Sequence, residues 1–244
     1  PHIAGTIDNL QGFRVIRRAL ASVQGEIRRR EGIFKAAGVS NVDDYMRQYQ
    51  TDSRMEPLSH LIIVVDEFAE LKKEQPEFMQ ELISASRVGR SVGIHLILAT
   101  QKPSNSVDDE IWSNARFRIC LRVQNRSDSL DMLKRPDASY IKGMGRCFVQ
   151  IGNDEIFEEV QTSWSGAAYD PQHTMTLEKP ALLNGAGQPI HVRFEKEAPS
   201  TGQTQMSAVL ARIRDVMAEH AVQQAPRLWL DELPERIDLT AVEP

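Results

Sequence analysis

Leu61-Ile62-Ile63-Val64-Val65-Asp66-Glu67 decides the fold. The aliphatic run, which extends back to Leu58, suits a strand buried on both faces of a parallel sheet. It stops abruptly in two carboxylates. Ile94-His95-Leu96-Ile97-Leu98-Ala99 repeats the pattern and stops in Thr100-Gln101. Between the two runs Pro76 can open a helix at its first turn, with Phe78, Met79, Leu82 and Ile83 on one apolar face. Strand, helix and strand in succession, with polar residues at the strand ends, predict a three-layer α/β sheet. Ligands of such sheets bind beyond the carboxyl ends of the strands, where both polar pairs fall.

Working outward, Phe13, Ile16, Leu20, Val23, Ile27 and Phe34 recur at helical spacing between Leu10 and Ala37. Arg14, Arg17, Arg18, Arg28, Arg29 and Arg30 are expected on the opposite face, and Gly38 at a C-cap position. The polar stretch from Asn41 to Pro57 reads as a loop with a short helix. Further strands are expected at Phe117–Val123, Arg146–Ile151 and Ile156–Gln161, with a helix starting near Ser127 as N-cap. After about Tyr169 prolines and glycines punctuate two short strand candidates, Ala181–Leu183 and Ile190–Phe194. A helix with Met206, Val209, Leu210, Ile213 and Met217 on one face follows, then a proline-bounded apolar tail from Pro226.

Bulk composition narrows the classes. The 244 residues, 27.5 kDa, suffice for one large α/β domain or a medium domain with an extension. Hydrophobic and charged contents of 41% and 26% exclude wholesale disorder and fibrous structure. No apolar run approaches the roughly 18 residues of a membrane span, and the N-terminus lacks the pattern of a signal peptide. Pro1 in place of an initiator Met points to a trimmed or internal piece. A net charge of −5 argues against a globally basic nucleic-acid surface. Cys120 and Cys147 read as buried thiols in a reducing compartment, and Trp112 and Trp164 as packing residues. His2, His60 and His95 stand at no metal-ligand spacing.

Asp66 and Glu67 at a sheet rim suit phosphoryl chemistry: one carboxylate can hold a magnesium ion through its water shell, and the next can polarise an attacking water. An acidic turn after a buried strand is also common without any such role. Thr100 and Gln101 put a hydroxyl and an amide at the same edge, able to hydrogen-bond a γ-phosphate or the water, or simply to close a turn. The two strand ends together are more informative than either alone.

At this point the residues resemble a family. Val65-Asp66-Glu67-Phe68-Ala69-Glu70-Leu71 is similar to the hydrolysis strand and following helix of the FtsK/SpoIIIE translocases, within the RecA-like ATPases. Gly93 through Ser104 resembles that family's next strand and polar sensor. Three phrases, His2–Leu10, Ile111–Phe117 and Gln161–Ala167, resemble the type VII secretion branch of EssC/EccC type rather than the DNA-pumping branch. The resemblance is strong over residues 1–169 and weak beyond.

The resemblance implies a RecA-like P-loop NTPase three-layer sandwich that uses ATP and Mg. Asp66 would hold the Mg through water, with Glu67 and Gln101 catalytic and Asp66, Thr100 and Gln101 contacting the nucleotide site. Ring ATPases of this kind complete each site with an arginine from the neighbouring subunit. The position matching Arg18 is the first choice, with Arg17, Arg87 and Arg90 as rivals and a solvated helix face as the plain alternative. No Gly-x-x-x-x-Gly-Lys-Ser/Thr occurs in the sequence, so the phosphate-binding-loop portion is absent and the chain alone is expected to be inactive.

The implied organisation is the C-terminal part of a motor domain over residues 1–169, a small β-plus-helix extension over 170–225 and an inter-domain linker over 226–244, where Trp229 is a candidate anchor. Implied partners are other motor domains of the same chain, neighbouring subunits of a hexameric ring and small helical WXG100-like secreted proteins. The membrane would be reached through the parent protein, at its cytoplasmic face in a bacterial cell. A DNA translocase is the runner-up, although no DNA-reading winged helix is legible near the C-terminus. A degenerate, non-catalytic scaffold domain is the third reading.

Overall fold

The apolar stripe of Leu20, Val23, Ile27 and Phe34 builds α1, Phe13–Ala37, in the computed structural model of the chain. Residues 2–7, 13–52, 54–103, 107, 109–153, 155–169, 182–186, 189–190, 202–222, 225 and 228 are described. They fall into two compact units, residues 1–161 with 224–244, and residues 162–223. Asp8–Leu10, Ser104, most of the proline-punctuated region after Tyr169 and the tail with Trp229 lie outside the described residues.

Gly38 ends α1 at φ 71°, a left-handed conformation that glycine adopts without penalty, and Val39 N–H closes back on the Phe34 carbonyl at 3.0 Å. Arg30 corrects the expectation of a solvated arginine face. It is 5% exposed and donates to the carbonyls of Val92 at 2.9 Å, Gly93 at 3.4 Å and Ser59 at 2.9 Å, while Glu26 accepts from its Nε at 2.7 Å. Helical phase alone assigns a face, but only tertiary packing brings those carbonyls against it. The segment expected as mostly loop forms α2, Val42–Thr51. The side chain of its N-cap Asn41 accepts from Asp44 N–H at 2.9 Å, and Val42 and Tyr45 are buried.

β1, Leu61–Val65, and β2, Ile94–Leu98, pair in parallel, with Leu61 opposite Ile94 and Val65 opposite Leu98. Between them lie α3, Phe68–Glu74, and α4, Pro76–Gly89, which starts with its proline at the first turn. The strands are not buried on both faces as their composition predicts. Leu61, Ile63, Val65, Ile94, Leu96 and Leu98 pack against residues of the helices, whereas Ile62 and Val64 on the other face are 59% and 63% exposed. Among the described residues the helical layer covers one face of this pair, which makes the α/β sandwich incomplete.

After α5, Asp109–Asn114, three strands form a separate antiparallel sheet: β3, Phe117–Leu121, β4, Arg146–Ile151, and β5, Ile156–Gln161. β3 is shorter than expected. α6, Arg126–Leu133, starts after Asn125 rather than at Ser127, and with a 3-10 turn at Asp137–Tyr140 it covers one face through Leu133, Ala138, Cys120 and Ile141. On the opposite face Phe117 is 69% exposed, beside exposed Ile119 and Leu121. Cys120 and Cys147 are buried free thiols, as the composition implied, and burial pushes the Cys120 thiol up to about 11. Such a thiol is unreactive at neutral pH.

The second unit holds the short antiparallel pair β6, Leu182–Leu183, and β7, Pro189–Ile190, and α7, Gln205–Glu219. Thr204 and Ser207 form a reciprocal capping box at the start of α7. Its apolar stripe is mostly unburied, with Met206, Val209, Leu210 and Ile213 exposed and Met217 inside. Among the described residues no helix is long and apolar enough to cross a membrane.

Candidate functional site

The carboxyl ends of β1 and β2 are laced together by main-chain hydrogen bonds. Ala99 N–H donates to the Val65 carbonyl at 2.9 Å, and Phe68 N–H donates to the Ala99 carbonyl at 2.9 Å. This ladder holds Asp66-Glu67 next to Ala99-Thr100-Gln101, so the two polar strand ends meet at one edge. Asp66 is exposed, and its Oδ1 accepts from the Glu67 N–H at 3.0 Å. Thr100 Oγ1 accepts from Lys102 N–H at 3.2 Å, folding the chain after β2 into a tight polar turn, and Gln101 is exposed beyond it.

Glu67 occupies the N-cap position of α3 at φ 49°, ψ 45°, and its side chain makes no capping bond. Left-handed backbone costs an L-residue about 1–2 kcal/mol. The next residue supplies the compensation. Phe68 is 2% exposed, in a cluster with Leu20, Met79, Leu82, Ile83 and Ile111, and full burial of such a ring contributes about 1.5–3 kcal/mol. The two magnitudes are comparable, so burial of Phe68 can offset the strain at Glu67. Backbone strain maintained in this way concentrates at functional sites.

Arg18 lies on α1 and is half-buried, two residues before Leu20 of the same cluster. The structure thus places α1, through Leu20, against the core beneath the carboxylates. Arg18 and two of its three rivals, Arg17 and Arg87, all make interactions of their own.

Three features were missed in the sequence. Arg30 clamps the opposite edge of the sheet. Next to it His60 Nδ1 and His95 Nε2 face each other at 2.9 Å, the rings stacked at 5.1 Å, although their spacing in sequence suggested no partnership. Burial, then the neighbouring His60, Arg90 and Arg30, push His95 below the usual histidine value, with Asp43 pulling weakly the other way. Only the Ile62–His95 register, a tertiary fact, reveals the pair. Among the described residues no three potential ligands cluster to hold a metal ion. The third is Arg118, buried on β3, whose guanidinium lies 3.9 Å from the Trp112 ring centroid and donates to the carbonyls of Gly152 at 2.9 Å and Trp112 at 2.8 Å. Trp112 is thereby a packing residue, as expected, with a cation stacked on it, whereas Trp164, expected to pack as well, is 75% exposed.

This helix-covered parallel pair, ending in two carboxylates beside a polar turn, is part of a P-loop ATPase fold. The solved cytoplasmic domain of the type VII secretion ATPase EccC from Thermomonospora curvata superposes with a TM-score of 0.69 at 20% identity, covering 93% of this chain and 22% of that one. Residues 1–105 match the FtsK/SpoIIIE family model. The type VII secretion system protein EssC of Staphylococcus aureus (strain NCTC 8325 / PS 47) is 43% identical over 97% of this chain. The ESX secretion system protein YukB of Bacillus subtilis (strain 168) is 42% identical over 98%. Over residues 1–105 the chain is a domain of the FtsK/SpoIIIE family. It spans about 16% of the length of these two relatives.

Proposed function

We propose that this chain is the hydrolysis-side part of an ATP-driven motor of type VII protein secretion, within a longer protein that couples MgATP hydrolysis to export of small helical WXG100-like proteins. The observation that carries it is the ladder from Val65 through Ala99 to Phe68, which unites the carboxylates and the polar turn at one sheet edge. Identity above 40% to EssC and YukB over nearly the whole chain supports the secretion branch.

In this reading Asp66 holds the water shell of a magnesium ion, and the exposed carboxylate at the strand end, without an ion pair among the described residues, suits that role. A bound magnesium ion would supply positive charge beside the phosphates of the nucleotide. Glu67 orients the attacking water and takes up its proton. Thr100 and Gln101 hydrogen-bond the γ-phosphate or the water, and Arg18 reaches the nucleotide site of a neighbouring subunit. The phosphate-binding loop belongs to another part of the longer protein, which also brings the chain to the cytoplasmic face of the membrane. The bare faces of β1–β2 and of β3 are where that part packs, since exposed apolar surface of this extent calls for a partner.

The test is MgATP binding and turnover by this chain alone and joined to the preceding segment of its parent, with Glu67→Gln as control. Turnover only in the joined protein, abolished by Glu67→Gln, is the expected result. Absence of turnover in both would replace the motor by a non-catalytic scaffold domain.

A further inference from the structure

We infer that Phe68 is a positioning residue that fixes the Glu67 carboxylate and joins it mechanically to the polar turn and to α1. The inference rests on the role proposed for Glu67 and adds the device that sets its geometry.

Three segments carrying candidate site residues converge on this one side chain and its amide. Glu67 precedes it directly, in a left-handed conformation with no side-chain cap of its own. The Phe68 N–H holds the carbonyl of Ala99, the residue before Thr100, at 2.9 Å. Its ring, 2% exposed, shares a buried cluster with Leu20 of α1, which follows Arg18 by two residues, and with Val65 at the end of β1 packed against the cluster. Met79, Leu82 and Ile83 of α4 and Ile111 of α5 close the cluster. A ring so enclosed cannot shift without moving its neighbours, because protein interiors are close-packed. Any movement of α1 or of the turn after β2 is therefore passed to Glu67, and any loosening of the ring lets Glu67 relax out of its left-handed backbone. A displacement of about 1 Å at a reacting group can lower a rate by about a hundredfold.

The experiment uses the protein joined to the preceding segment of its parent, in which turnover is expected. Phe68→Leu, which shortens the ring, and Leu20→Val, which removes one methylene beneath it without touching the loop, are compared with Glu67→Gln. Turnover at saturating MgATP, its KM, the affinity for a non-hydrolysable ATP analogue and the melting temperature are measured for each. Phe68→Leu is expected to lower kcat by about ten- to a hundredfold, and Leu20→Val by a few-fold, with analogue affinity within about twofold of the parent. Phe68→Met, which keeps most of the volume, is expected to recover part of the kcat lost in Phe68→Leu. An unchanged kcat per folded molecule in both Phe68→Leu and Leu20→Val, with only melting temperatures reduced, overturns the inference while leaving the role of Glu67 intact. Turnover that survives Glu67→Gln overturns the role of Glu67 and the inference with it.

Discussion

The guanidinium of Arg30 donates to the carbonyl of Val92 across 2.9 Å and, through its other terminal nitrogen, to that of Ser59 at the same distance. One side chain of α1 thus ties the chain entering β1 to the chain entering β2, at the edge of the sheet opposite Glu67. α1 is pinned at both ends: by Leu20 near the carboxylates and by Arg30 at the far rim.

Arg30→Met should destabilise the fold by about 3 kcal/mol, because it leaves buried carbonyls unpaired and Glu26 without its innermost partner. Arg30→Lys should recover less than half of that, since an ammonium cannot span both carbonyls from one planar fork. Urea titration of both variants checks this. Burial pushes the Glu26 carboxyl up, but hydrogen bonds from Arg29 and Arg30 outweigh it and hold the group below the usual glutamate value. A carboxyl depressed in the folded state contributes stability that is complete above its unfolded value and disappears as pH falls through the folded one. The acid sensitivity of the parent below the ordinary glutamate range should therefore be partly absent in Arg30→Met.

His95 gives the opposite end of the scale. Its folded value lies below the ordinary histidine value, so the unfolded chain binds the proton more readily. The stability associated with neutral His95 is complete above about 6.5 and is lost as pH falls from there to the folded value. Melting temperatures at pH 7.5 and 5.5 should differ more for the parent than for His95→Gln. An equal difference in both would remove the His60–His95 pair as the source.

Substituting the exposed apolar face should act with opposite sign in two contexts. In this chain alone, Phe117→Ser with Ile119→Thr should reduce self-association, measured by sedimentation, because two large side chains leave an exposed sheet face. In the protein joined to its preceding segment the same pair should destabilise by about 1.5–3 kcal/mol per side chain that becomes buried there.

Glu67→Gly separates stability from activity. Glycine adopts φ 49° freely, so the variant should gain about 0.5–1 kcal/mol after its larger unfolded-state entropy is set against the strain relieved. Turnover in the joined protein should fall by about 10²–10⁴-fold, the range of a lost general base. Thermal unfolding and steady-state turnover on the same preparation check both halves.

Much of this protein is legible along the chain because its signals are local. Val65-Asp66-Glu67 and Ala99-Thr100-Gln101 mark strand ends by an abrupt change from aliphatic to polar side chains, Pro76 marks a helix start, and Leu20, Val23, Ile27 and Phe34 mark the buried stripe of α1. The family resemblance rested on contiguous phrases of the same kind. Burial of β1 on both faces is not legible in its composition, because an aliphatic residue records a preference for burial, not whether a covering layer is present. Ile62 and Val64 retain a composition suited to a partner that the described residues do not supply.

The residues, their order and the period of their side chains by themselves determined the α/β class, the helix-covered strands and the chemistry available at the strand ends. Tertiary structure alone decided that Arg30 is a buried clamp and not a surface charge, that His60 meets His95, and that Glu67 sits in a left-handed turn beside the buried Phe68. The physical reason is range: helix period and strand composition act over a few residues, whereas hydrogen bonds such as Arg30 to Val92, and core contacts such as Leu20 with Phe68, join positions whose separation in sequence carries no signal until the chain has packed.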